Sequence, residues 1–362
     1  MIIKNKKLRK KFNLGNINKD SKNLIFTFLG GFCLVFIFFT FPIVIEWNHR
    51  IFTLSDEVKN NSKNNFKKVL KGEVLSQDSK TDEGLNVTNL FDDVLNFKDL
   101  PNDVVRLSAA TIEQLFEDTD YNLRDVRETK LVKPIALSLL PREIKKIENT
   151  TKRKNLFVKI ILPLVIEENN RIKIDRKKLF NILNKNKNSI AEKKWLGRKF
   201  KLYGVINKDL STLKIRMDYV PASLTIAQAA KETGWGTSRF ALEGNALFGQ
   251  WTWSGEGIKP AASDSDSKHK VMKFKVLKAS VRAYQRNLNT HSSYKEFRMV
   301  RAELRDNDEK IDSLKLVDHL DKYAETGKEY VEILKKIIKQ NSLQDFDDVQ
   351  LLPTSIELKN LI

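Results

Sequence analysis

Leu24 to Ile45 (LIFTFLGGFCLVFIFFTFPIVI) is an apolar run of 22 residues without a charge, long enough to cross a bilayer as one helix. The preceding residues 1–23 carry Lys4, Lys6, Lys7, Arg9, Lys10, Lys11, Lys19 and Lys22 against Asp20 alone. The positive-inside rule therefore keeps this basic tail cytoplasmic and predicts that everything after Trp47 lies outside. A cleaved signal peptide is the competing reading, but the run exceeds the usual apolar region of such peptides and no small-x-small site follows it. Across 46–102 the pattern loses its period. The stretch Ser55–Asn89 is rich in Lys, Asn, Ser and Asp and reads as a polar tether. A short apolar group, Leu90 to Leu100, ends at Pro101.

Folded character begins near Asp103, where VVRLSAATIEQLF has helical spacing. From Lys152 to Lys201 the pattern predicts a set of amphipathic helices, with sixteen Lys or Arg against four Asp or Glu. After Pro221, suited to a first helical turn, ASLTIAQAAKETGW has no proline or interior glycine and predicts a largely buried helix ending at Gly234. Ser238 to Leu242 reads as a short helix before a turn at Gly244. Gly, Pro and Ser punctuate short β-prone pieces from Trp251 to Lys275, which predicts a small hairpin lobe. Helical spacing resumes at LKASVRAYQRNLNT and continues through EYVEILKKIIKQN.

Composition adds a constraint on partners and excludes some chemistry. The formal net charge of +19 across 362 residues favours adhesion to an anionic polymer. The basic window 152–201 lies in the exported part and lacks the interleaved aromatics of a nucleic-acid platform, so nucleic acid is not expected as a partner. A solvated helix face that suits a polyanionic wall or the outer membrane surface accounts for it. The only cysteine, Cys33, lies within the apolar run. The exported part therefore has no disulfide, no thiolate metal site and no cysteine nucleophile.

Hydrolases without metal or thiol work mostly through Ser-His-Asp sets or carboxylates. The four histidines, His49, His269, His291 and His319, have no nucleophile-elbow pattern beside them and no HExxH spacing. No metal or other cofactor is expected. Among the carboxylates, Glu232 differs in its setting. On a helix Thr225, Gln228 and Glu232 share a face at i, i+3 and i+7, while Leu224, Ile226, Ala227, Ala229 and Ala230 fill most of the remaining surface. Desolvation by apolar neighbours such as Trp235, and the negative end of the helix dipole, both push its pKa upward. A carboxylic acid still protonated near neutral pH can deliver a proton to a leaving oxygen. The competing reading is a solvent-facing Glu232 paired with Lys231 or Arg239. Gly234 and Gly236 suit a C-cap and turn. Phe248, Trp251 and Trp253 suit either a core or a cleft whose aromatic faces stack on sugar rings.

The run Ala227-Gln228-Ala229-Ala230-Lys231-Glu232-Thr233-Gly234-Trp235-Gly236, followed by Asn245-Ala246-Leu247-Phe248-Gly249, resembles the signature of the bacterial glucosaminidases, a glycoside hydrolase family 73-like group. That group includes the glycosidase domain of flagellar peptidoglycan hydrolases. GQWTW, SVRAYQRNLNTHSSY and KNLFVKIILPLVIEENNRI are similar to its Bax subgroup, and the likeness covers roughly Arg124 to Asn341. It implies a lysozyme-like, mainly α (α+β) fold with a small β-hairpin lobe. It also implies hydrolysis of the β-1,4 bond between N-acetylglucosamine and N-acetylmuramic acid in peptidoglycan. Glu232 then corresponds to the general acid, and Tyr323, in Tyr323-Ala324-Glu325-Thr326, to a tyrosine of the family's YATD motif that helps hold the sugar. Glu325-Thr326 departs from that motif. The family's second carboxylate comes from the β lobe. Glu256, between glycines, is the favoured candidate, with Asp264 and Asp266 as alternatives. Gln228, Trp235, Asn245, Phe248 and Trp251 complete the expected substrate-binding set.

The resulting expectation is a single-pass inner-membrane protein with a periplasmic or otherwise extracytoplasmic catalytic domain and glycan strands as partner. Its parts are a cytoplasmic tail (1–23), transmembrane helix (24–45), tether (46–102), basic helical region packing on or preceding the catalytic domain (103–201), catalytic domain (202–345) and C-terminal tail (346–362). Alternatives are a lytic transglycosylase or a non-catalytic wall-binding scaffold. The family's label also reads as amidase, but muramoyl-alanine amidases usually use a zinc site that this sequence lacks.

Overall fold

The computed structural model describes residues 104–252, 257–259 and 270–353, all within one compact unit spanning Asp82–Ile362. The expected transmembrane helix, Leu24 to Ile45, and the tether lie outside the described residues. So do Cys33, His49, Trp253, Glu256, Asp264, Asp266 and His269. Among the described residues no helix is long and apolar enough to cross a membrane.

The architecture is mainly helical. In chain order the elements are α1 (Ala109–Asp118), α2 (Leu123–Thr129), β1 (Leu131–Val132), α3 (Thr150–Leu183), α4 (Ile190–Leu202), α5 (Leu210–Arg216), α6 (Ala222–Thr233) and α7 (Arg239–Gly244). They are followed by β2 (Trp251–Thr252), β3 (Gly257–Ile258), β4 (Lys270–Met272), α8 (Leu277–Thr290), α9 (Lys295–Asp306), α10 (Ser313–Val317), α11 (Lys328–Gln340) and β5 (Gln350–Leu351). Strand β1 pairs in parallel with β5, joining the segment after α2 to the end of the described chain. The order β2-β4-β3 makes an antiparallel lobe, with Trp251 opposite Val271 and Gly257 opposite Met272.

The set of helices expected from Lys152 to Lys201 is two, α3 and α4, of which α3 is a single 34-residue helix that runs from an Asn149 cap to Leu183. Its N-terminal half opens with polar residues, Thr150 to Asn155, and turns apolar from Leu156 to Ile166, Lys159 excepted. Leu156 to Leu162 and Leu164 to Ile166 are nearly all buried, and Pro163 is tolerated within this buried stretch. This half joins α6, α8, α10 and α11 in one hydrophobic cluster that runs from Ala109 to Val349. Residues 103–201 and 202–345 thus share a core. The C-terminal half of α3 instead packs with α4 and α5 in a separate cluster around Trp195, Phe200, Leu213 and Met217. The lysines solvate the outside of that lobe. Lys178 and Lys199 also lie over the Trp195 ring at 5.1 and 5.3 Å, where cation–π attraction adds to packing.

Helix α6 sits at the centre, against α3, α11, α10 and the 3-10 turn Leu343–Phe346. Every residue from Ala222 to Ala230 is buried, which explains its small-residue sequence, because close neighbours on all sides leave no room for larger side chains. Its N-terminus has no side-chain cap of its own. Asp347, from the far end of the chain, supplies one by accepting from the Ser223 backbone N–H at 2.8 Å and from its hydroxyl at 2.7 Å. The segment entering α6 is clamped as well. Asn169 on α3 donates to the Val220 carbonyl at 2.8 Å, and Arg301 on α9 donates to the carbonyls of Ile215, Asp218 and Tyr219. Asp218 accepts two bonds from Arg305, both at 3.1 Å. A buried ion pair, Glu168 with Arg282 at 2.6 Å, locks α3 to α8.

Candidate active site

Glu232 occupies the last turn of α6, where its backbone is anchored by the core while its side chain reaches the rim of the helix bundle. The helix stops because Gly234 turns left-handed at φ 57°, and Trp235 and Gly236 continue at φ 60° and 83°. For Trp235 this conformation carries a steric cost. The turn is held by the Thr233 hydroxyl, which accepts from the Gly236 N–H at 2.9 Å, and by the Trp235 N–H, which bonds to Ala230 O at 3.0 Å.

Around the carboxyl stand tyrosines from four other elements. Tyr330 on α11 donates its hydroxyl to Glu232 Oε1 at 3.0 Å. The same hydroxyl accepts from Gln228 Nε2 at 3.0 Å, and Gln228 Oε1 accepts from the Tyr284 hydroxyl on α8 at 2.5 Å. Tyr323 stacks on Tyr330, with centroids 5.5 Å apart and planes 8° from parallel, and donates to the Phe248 carbonyl at 2.9 Å. Phe248 stacks on Tyr284 at 4.0 Å. Tyr294 lies 6.0 Å from the Tyr323 ring. These contacts suspend the loop after α7 over the acid, so that a side chain at Gly249 would meet Glu232 Oε2 at 3.4 Å.

Burial pushes the Glu232 carboxyl above the ordinary glutamate range, opposed by the Tyr330 hydrogen bond and the Lys231 charge. Among the described residues, no carboxylate is a cause of that shift. Burial likewise raises the hydroxyls of Tyr284, Tyr294, Tyr323 and Tyr330, which keeps all four neutral donors at physiological pH. The pairing of Glu232 with Arg239, one of the sequence alternatives, does not form. Arg239 instead donates to Lys259 O and lies 3.8 Å from Glu243.

Of the residues singled out in the sequence, Glu232, Gln228, Phe248 and Tyr323 come together. Gln228 is wholly buried with its amide engaged by two tyrosines, so it stands behind the acid and out of reach of a sugar. Phe248 is also buried, as the base of the loop. Trp235 turns toward α3, edge-on to Phe157 at 5.9 Å and under Lys154 at 4.9 Å. Asn245 takes the left-handed cap of α7 and donates to the carbonyls of Phe274 and Lys275 at 2.9 and 3.2 Å. It ties the site loop to the β lobe. Trp251 lies on β2, 44% exposed. Glu256 lies outside the described residues. His291 accepts from the Ser293 N–H and His319 lies 3.9 Å from Glu296. Among the described residues no group of side chains has the makings of a metal site. Sequence reasoning missed Tyr330, Tyr284 and Tyr294. Two of them stand in SVRAYQRNLNTHSSY, whose similarity to a family is legible without assigning either a role.

The site thus presents a partly buried acid at the end of a central helix, walled by tyrosines and flanked by a small β lobe. A family model described as mannosyl-glycoprotein endo-beta-N-acetylglucosaminidase matches residues 210–343. The chain is also 31% identical over 217 residues to "Protein bax" of Escherichia coli (strain K12), covering 56% of this chain and 75% of that relative. The chain belongs to the glucosaminidase family, in its Bax subgroup. No solved structure matches it.

Proposed function

We propose that the protein is a membrane-anchored peptidoglycan hydrolase that cleaves the β-1,4 bond between N-acetylglucosamine and N-acetylmuramic acid, with Glu232 as general acid. The observation that carries the reading is the Glu232 carboxyl itself. Desolvation raises its pKa, its Oε1 is held by a neutral hydroxyl, and its Oε2 adjoins a residue with no side chain. An acid prepared in this way protonates the glycosidic oxygen as the bond breaks, while charge develops on the sugar ring. Trp251, exposed beside the site loop, offers a face for sugar stacking.

The base that activates water is assigned to Glu256, whose neighbour Gly257 opens β3 in the lobe packed on α7. A second route is open to test, in which the substrate's own acetamido group attacks and no base is required. Leu24 to Ile45 would place the domain outside the inner membrane beside the wall, and the basic lobe on α3 and α4 suits an anionic surface.

The experiment is digestion of purified peptidoglycan by wild type, Glu232→Gln and Glu256→Gln, with products read by mass. Reducing N-acetylglucosamine ends with wild type and none with Glu232→Gln are the expected result. Anhydro-muramic ends would make it a lytic transglycosylase. Equal clearing by Glu232→Gln would remove the acid assignment, and no clearing by any variant would leave a wall-binding scaffold. Retained activity in Glu256→Gln would favour the acetamido route.

A further inference from the structure

The Glu232 carboxyl is held by three neutral side chains in series. Tyr284 donates to Gln228 Oε1, Gln228 Nε2 donates to the Tyr330 hydroxyl, and Tyr330 donates to Glu232 Oε1. A hydroxyl has one proton to give, and a carboxamide has a donor end and an acceptor end that are not interchangeable. Once Tyr284 occupies the acceptor end of Gln228, the donor end is directed at Tyr330. The single proton of Tyr330 is then committed to Glu232. In a neutral carboxylic acid the carbonyl oxygen is the better acceptor, so a donor aimed at Oε1 leaves the acid proton on Oε2.

From this geometry we propose that Gln228, Tyr330 and Tyr284 are positioning residues that fix the acidic proton of Glu232 on Oε2, the oxygen beside Gly249. The proposal rests on Glu232 being the general acid and adds what orients it. Burial protects the series, because Gln228 and Tyr284 are wholly buried and Tyr330 is 1% exposed, so water does not compete for their bonds. The stacking of Tyr330 on Tyr323, and of Tyr284 on Phe248, fixes the ring planes and hence the hydroxyl directions. Gln228 is therefore needed for its directionality; leucine or methionine would fill its volume but leave both tyrosine hydroxyls unoriented. Among the described residues, the groups acting on Glu232 are Lys231 on its own helix, Tyr330 on α11, Tyr284 on α8, and Tyr294 and Tyr323 on the 3-10 turns Ser292–Tyr294 and Asp321–Tyr323.

The test is the pH dependence of kcat/KM for the full chain carrying Tyr330→Phe or Tyr284→Phe, each keeping its ring in place. A hydroxyl donating to a carboxyl favours the ionised form more than the neutral one. Losing it in Tyr330→Phe raises the Glu232 pKa, and the alkaline limb of the profile moves up by about one pH unit. Tyr284→Phe moves it the same way by less, because Tyr330 keeps its own proton. A limb that moves down in Tyr330→Phe would mean that Glu232 had been the donor and its proton sat on Oε1. An unmoved limb with lower kcat and an unchanged melting temperature would reduce Tyr330 to a packing residue. Either result overturns the proposal. Glu232→Gln separates the failures: if it is inactive while the Tyr330→Phe limb stays put, only the relay falls, and if it is active the acid assignment falls with it.

Discussion

Gly249→Ala places the smallest possible obstacle at the acid. Gly249 has φ 61°, and a Cβ built there lies 3.4 Å from Glu232 Oε2. Two costs follow and they are separable. The left-handed backbone costs a non-glycine residue about 1–2 kcal/mol, which in a unit of this size lowers the melting temperature by roughly 2–6 °C. The second cost is catalytic. A general acid works within about 2.6–3.2 Å of the atom it protonates, and the new methyl group occupies van der Waals space on the one oxygen left free by Tyr330. Proton donation of this kind contributes roughly 10²–10⁴ in rate, so partial obstruction is expected to lower kcat/KM at least about tenfold. Gly204→Ala is the control. It has the same handedness, φ 64°, and its Cβ meets Arg216 Nη1 at 3.3 Å in the basic lobe, away from the acid. Thermal melts and peptidoglycan turnover on both variants decide the matter. If the two melt alike and both turn over at the wild-type rate, Oε2 is not the oxygen that faces the substrate.

Asp218 is nearly sealed from water, and although burial pushes its pKa up, Arg301, Arg176 and Arg305 outweigh that and hold it low. Asp218→Asn leaves those guanidiniums uncompensated and is expected to cost on the order of 3 kcal/mol in denaturant unfolding. Because the folded pKa is depressed, this stabilisation is fully present above the unfolded value of about 3.9 and is lost as pH falls below it. Asp347 has the opposite sign. Burial raises it to about 6 despite two bonds from Ser223, so the folded state holds its proton longer and stability declines as pH rises from about 4 to about 6. Melts across that window show the slope, and it flattens in Asp347→Asn. Tyr323→Phe removes the hydroxyl that holds the Phe248 carbonyl; a loss of about 1 kcal/mol together with lower turnover is expected, and turnover unchanged would free the loop from any role.

Much of this architecture is legible in local pattern. The density of alanine from Ala222 to Ala230, closed by Gly234, announces a helix buried on all sides. Ser238 and Asn245 mark the ends of α7, and the glycine and β-prone residues after Trp251 become a three-stranded lobe. The length of α3 is less legible, because Pro163 and the shift from apolar to basic composition suggest breaks that the tertiary core overrides. Roles within the candidate site divide similarly. Glu232 stands out in sequence because the buried run that it ends is local to its own helix, although the tyrosines that wall it are not. Gln228, Trp235, Asn245 and Phe248 are equally near in sequence, yet their directions depend on partners far away, and the structure turns each toward protein.

The sequence by itself determines that one carboxyl ends a buried helix, that a small β lobe follows it, and that the chain belongs with the glucosaminidases, because those features reside in short contiguous runs. Only the tertiary structure decides which oxygen of that carboxyl is held. The donor, Tyr330, lies 98 residues from Glu232, and the group that orients it through Gln228, Tyr284, lies 56 residues beyond Gln228. Asp347 caps the same helix from 124 residues beyond Ser223. Hydrogen-bond direction depends on the spatial meeting of a donor and an acceptor, and no local period in the chain encodes which side chains will meet.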